Sequence, residues 1–81
     1  MIIEHPAHFL SLLHKIKNQS EQERIKKQIK KIIEHPEVGK PMRYARKGTR
    51  EVHRGSYRLS YSYIQEEDKL VFLDMYHKDE Q

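Results

Sequence analysis

A chain of 81 residues has room for one domain, spanning residues 1–81, and buries only about 60–65% of the surface that its unfolded form exposes. Hydrophobic residues make up 36% and charged residues 35%, with apolar runs of a few residues only; this excludes a transmembrane helix, while the content of Ile, Leu, Val and Tyr excludes a disordered tail. There is no cysteine, hence no disulfide and no thiolate metal cage, and 16 Lys+Arg against 12 Asp+Glu give a net +4 that favours polyanions or an acidic partner.

Ile2-Ile3-Glu4 has the composition of a very short strand. The opening residues lack the basic segment and apolar run of a signal peptide, so a cytoplasmic location is expected. Pro6 suits the first position of a helix, and Phe9, Leu10, Leu13 and Ile16, with Leu12 alongside, carry an apolar stripe to about residue 18. Ser20 and Glu23 have the spacing of a capping box that starts a second helix. Ile25, Ile29, Ile32 and Ile33 line one face of that helix and a row of Lys and Arg the other, until His35-Pro36 ends it. The short gap makes the pair an antiparallel hairpin.

Beyond residue 36 the pattern changes to β. Strands are expected at about 42–46, 49–54, 57–64 and 69–76, broken at Lys47-Gly48, Gly55-Ser56 and 65–68. Connections this short join antiparallel neighbours. The fold class is therefore α+β: an N-terminal helical hairpin packed on one face of a C-terminal antiparallel β-meander. Period-2 alternation places Val52, Leu59, Tyr61 and Tyr63 against the helices and turns Glu51, His53, Arg58, Ser60 and Ser62 to the open face. The last strand starts apolar on both faces. With Val71, Leu73 and Met75 as its core set, Asp74, Tyr76 and Lys78 join the open face, with His77 at the rim.

Three segments resemble the RelE/ParE toxin superfamily. They are the strand–turn–strand block Arg50–Tyr61 with its Gly-x-Tyr-Arg-Leu-x-Tyr, the preceding Gly39-Lys40-Pro41-Met42-Arg43-Tyr44, and the ending Leu70–Asp79. The resemblance implies a RelE-like ribonuclease fold and the toxin of a type II toxin–antitoxin system. In the RelE branch such a toxin is a metal-independent endoribonuclease that cuts mRNA on the ribosome. In the ParE branch it is a non-enzymatic inhibitor of DNA gyrase, and a degenerate toxin kept for antitoxin binding is a third reading. The implied partners are a RelB-like antitoxin, in a toxin–antitoxin hetero-oligomer, and mRNA with the ribosome. No cofactor, no metal and no membrane are implied; six histidines without a second spaced cluster do not make a zinc site.

By the same resemblance Arg58 falls on a phosphate-gripping arginine, His53 on a basic position of the neighbouring strand, and Lys78 near a C-terminal arginine. Glu51 stands where many nucleases carry a cation. Gln81 is the last residue, so the terminal helix and tyrosine of some RelE members are expected to be missing. Cleavage through the RNA 2′-OH needs a base, cations at phosphorus and an acid. Arginine's planar fork suits the phosphate, and histidine suits proton transfer near neutral pH. The expected catalytic set is Arg58, His53, Lys78, His77 and Glu51, and the expected substrate contacts are Tyr76, Arg50, Arg46 and Lys47. The plain alternatives are an Arg58 that only pairs with Asp74 or Glu51 across the sheet, and a Glu51 that is an ordinary surface carboxylate.

Overall fold

The computed structural model describes residues 1–80; Gln81, with the expectation placed on it, lies outside the described residues. A short strand β1 (Ile2–Glu4) leads into helix α1 (Ala7–His14) and helix α2 (Gln19–Glu34). Then come β2 (Lys40–Pro41), β3 (Arg50–Arg54), β4 (Tyr57–Ile64) and β5 (Lys69–His77), in a sheet of order β1-β5-β4-β3-β2. The meander β2–β5 is antiparallel throughout, whereas β1 adds to the far edge in parallel with β5, so the sheet is mixed.

Both helix starts lie slightly away from the positions that the sequence suggests. Pro6, with extended ψ, is the residue before α1 rather than its first turn. Helix α2 is capped by Asn18, whose side-chain oxygen accepts from the Glu21 N–H at 3.0 Å, and Ser20 lies inside the first turn, so the Ser20–Glu23 capping box does not form. Asn18 wins because the chain leaves α1 early: α1 ends at His14, and Gln22 Nε2 donates to the Leu13 carbonyl at 3.1 Å, closing the hairpin two residues sooner. Replacing Asn18 by Ala is expected to cost about 1 kcal/mol, read as a lower midpoint in urea melts.

The core is Phe9, Leu13, Ile16, Ile25 and Ile32 from the helices against Leu59, Tyr61, Leu70, Phe72 and Met75 from the sheet. Phe9 stacks on Phe72 with ring centroids 5.3 Å apart. Leu10, expected in the stripe, is 46% exposed. On β5 the expected core set is corrected at two of three positions. Leu70 and Phe72 are buried, Val71 and Leu73 are half-buried, and only Met75 is as expected. The reason is a β-bulge: Ser60 pairs with Asp74 but Tyr61 with Phe72, so Leu73 is an extra residue and the alternation flips across it. The same bulge delivers Asp74 and Tyr76 to the open face, opposite Ser60 and Arg58.

The strand expected at 42–46 is also corrected. Only Lys40–Pro41 pairs with β3, and Tyr44–Arg46 forms a 3-10 turn entered with Tyr44 at φ +59°. Pro41 suits an edge strand, where its missing N–H costs no ladder bond. The loop that carries this edge is latched to the core. Tyr61 Oη donates to the Pro36 carbonyl at 2.6 Å and accepts from the Gly39 N–H at 2.8 Å. Arg50 donates to the carbonyls of Glu37 and Gly39 at 3.1 and 2.8 Å. Gly39 is required by close approach, since a Cβ there would stand 2.6 Å from Tyr61 Oη.

Candidate nucleic-acid interface

The β3–β4 hairpin turns at Gly55-Ser56, with Gly55 at φ +59°, a conformation that a side chain disfavours. Its register pairs His53 with Arg58 and Glu51 with Ser60, and β5 pairs Tyr76 with Arg58 and Asp74 with Ser60. Alternation then places Glu51, His53, Arg58, Asp74 and Tyr76 on the sheet face opposite the helices.

Glu51 is the hub of this face, and it is not the surface carboxylate that the sequence suggests. Its side chain is only 4% exposed. Oε1 lies 3.1 Å from His53 Nε2 and 3.9 Å from an Arg58 guanidinium nitrogen. Oε2 accepts from the Tyr76 hydroxyl at 2.8 Å and lies 3.5 Å from Arg46. A buried carboxylate is costly unless paired and hydrogen-bonded, and these donors supply both. Because an ionised carboxylate only accepts, Nε2 carries the proton of a neutral His53 and Nδ1 is left with its lone pair. His53 is 59% exposed, so that nitrogen is within reach of a ligand.

Arg58 sits beside this pair. At 3.9 Å its contact with Glu51 is coulombic and too long for a hydrogen bond, and the guanidinium makes no hydrogen bond among the described residues. Glu51, His53 and Arg58 form the floor of a groove of about 610 Å³, walled by Lys40, Pro41, Met42, Arg43 and Tyr44 from the edge loop. On the other side of Glu51 a cleft of about 220 Å³ is lined by Arg46, Ser60, Asp74 and Tyr76, among others.

The sequence-expected residues divide accordingly. Arg58, His53, Glu51, Tyr76 and Arg46 come together. Four others do not join them. Arg50 shares the helix-side face with its partner Tyr61 and spends its guanidinium on the edge loop. His77 lies edge-on to the Tyr57 ring at 5.3 Å, on the helix side, because it pairs with Tyr57 rather than Arg58. Lys47 is exposed in the loop before β3. Lys78 lies just past β5 with its N–H on the Ser56 carbonyl at 2.8 Å, beside the hairpin turn. Lys40, Arg43 and Tyr44 were not singled out as site residues from the sequence. Their segment carries part of the family resemblance, but its only hint of a site is an aromatic among cations, with Arg43 and Tyr44 in the expected strand 42–46 and Lys40 just before it.

Residues 6–81 match the family described as the ParE toxin of the type II toxin–antitoxin system parDE. The chain belongs to this family, within the RelE/ParE toxin superfamily. No curated protein matches this toxin by sequence. Among solved structures, the toxin is similar to a chain of the toxin–antitoxin complex RelBE2 from Mycobacterium tuberculosis, at 27% identity and TM-score 0.76, covering 94% of this chain and 95% of that one. It is also similar to the YoeB/ParE toxin from Agrobacterium tumefaciens, at 13% identity and TM-score 0.78 with 95% and 98% covered. A chain of the intact E. coli RelBE complex matches at 18% identity and TM-score 0.73 with 91% and 92% covered. The latter two show the fold alone. The α+β architecture expected from the sequence is thus that of RelE-like toxins. No helix among the described residues is long and apolar enough to cross a membrane.

Proposed function

We propose that this toxin is a metal-independent endoribonuclease that cleaves mRNA on the ribosome, with Arg58 gripping the scissile phosphate and the Glu51–His53 pair moving the proton. The observation that carries the reading is the 3.1 Å contact between a buried carboxylate and an exposed histidine on the floor of a cation-walled groove. Glu51 holds the ring and fixes the tautomer, so that Nδ1 takes the 2′-hydroxyl proton. The 2′ oxygen then closes on phosphorus, and the 5′ oxygen leaves and takes a proton from solvent. The products are a 2′,3′-cyclic phosphate and a 5′-hydroxyl end. Charge growing on the phosphoryl oxygens is met by the Arg58 fork, which donates two parallel hydrogen bonds where a lysine gives one point charge. An antitoxin partner goes with this reading, since the RelBE and RelBE2 structures are toxin–antitoxin complexes.

Arg58→Ala is expected to lower cleavage by about 10²–10³-fold, the usual effect of removing one oriented donor, and Arg58→Lys to recover part of it. The assay is release of 5′-hydroxyl ends from mRNA on programmed ribosomes. Wild-type rates in Arg58→Ala would overturn the assignment. The ParE family match favours a second reading, a non-enzymatic inhibitor of DNA gyrase. That function has no use for a carboxylate–histidine pair in a groove. It predicts inhibited supercoiling with intact mRNA.

A further inference from the structure

Among the described residues Tyr44 is the most exposed of the large hydrophobic side chains. It is 92% exposed, so its ring adds nothing to the core. Its backbone sits at φ +59°, where glycine or asparagine rests with less strain than tyrosine. The tyrosine nonetheless lines the groove whose floor is His53 and Arg58, with Lys40 and Arg43 along the same wall. A single-stranded nucleic acid that places a phosphate at Arg58 carries bases on both sides of it, and unstacked bases are held by aromatic faces while cations track the backbone.

We infer that Tyr44 is the platform of a nucleobase subsite: its ring stacks on a base adjoining the phosphate at Arg58, while Lys40 and Arg43 meet the flanking phosphates of a single-stranded RNA. The inference rests on the proposed RNA cleavage. At 92% exposure the ring is open to solvent where it lines the groove, so a base can reach it. Stacking tolerates any base, so the subsite supplies affinity and register along the strand rather than a strict sequence code.

The test is binding of a fluorescein-labelled, uncleavable 2′-O-methyl RNA heptamer to the purified toxin, followed by anisotropy across a salt series. Tyr44→Ala is expected to weaken binding about 10- to 100-fold and Tyr44→Phe to restore it, because the ring and not the hydroxyl acts. The slope of log affinity against log salt should be unchanged in Tyr44→Ala but shallower by about 0.7 in Lys40→Ala or Arg43→Ala. Binding of Tyr44→Ala within twofold of wild type overturns the subsite, as does a Tyr44→Phe variant as weak as the alanine. Binding that depends on Tyr44, with no cleavage of natural RNA on ribosomes, overturns the nuclease reading and leaves the subsite standing. A wild-type toxin that does not bind the heptamer overturns the subsite, while the nuclease reading stands or falls on the ribosome assay.

Discussion

Glu51→Gln is expected to reduce RNA cleavage by about 10²–10⁴-fold while leaving RNA affinity unchanged or tighter. The amide keeps the volume of Glu51 but not its charge. It no longer demands a proton on His53 Nε2, so the imidazole is free to adopt the tautomer that presents N–H, not a lone pair, to the 2′-hydroxyl. The same change removes the negative charge that faces Arg46 at 3.5 Å and Arg58 at 3.9 Å, which leaves both guanidinium groups more available to phosphate. A fall in kcat without a rise in KM is thus the signature, measured in single-turnover cleavage with Kd from anisotropy. A Glu51 that serves only to neutralise the two arginines would give weaker folding but a normal kcat, so thermal melts of the variant belong beside the kinetics.

Tyr61→Phe is expected to be the most destabilising small change in the chain. Tyr61 is fully buried, and its hydroxyl serves the Pro36 carbonyl and the Gly39 N–H at once. Phenylalanine strands both groups, at about 1–3 kcal/mol each. For a domain of this size a loss of about 2–4 kcal/mol lowers Tm by roughly 10–25 °C, visible by calorimetry. The effect reaches the groove, because the latched loop continues directly into Lys40 and the wall up to Tyr44.

Burial also raises the Tyr61 pKa above the usual 10, outweighing the lowering effects of the Gly39 hydrogen bond and Arg50. The folded state therefore favours the neutral phenol. Its contribution to stability is complete below the unfolded tyrosine value, near 10, and is lost as pH rises through the higher folded value. Urea melts between about pH 8 and pH 11 should show the wild type losing stability above pH 10, and the gap to Tyr61→Phe narrowing there. A gap that widens with pH would contradict this sign.

The parts of the fold that were legible in the sequence are those with local causes. The β3–β4 hairpin follows from Gly55 and from the alternation of Val52, Leu59 and Tyr61, and its observed bounds agree within a residue. The two helices and their buried Ile25 and Ile32 follow from helical spacing. What escaped depends on partners distant in sequence. The bulge at Leu73 is set by pairing to β4, and an apolar run such as Leu70–Leu73 does not declare its own phase. The turn at Tyr44 breaks the rule that left-handed positions go to glycine, so the segment reads as strand. Glu51 looks like a surface residue until Arg46, His53, Arg58 and Tyr76 are seen to converge on it from three strands and a loop. The same phase argument that brought Tyr76 to the site took His77 away from it.

The most direct test of the nuclease reading is to induce the toxin in cells and map mRNA 5′ ends, with Glu51→Gln and Arg58→Ala induced in parallel. The account predicts new 5′-hydroxyl ends inside coding regions, in phase with codons, in the wild type and strongly reduced in both variants. Growth arrest with intact mRNA and DNA damage in all three strains would contradict it.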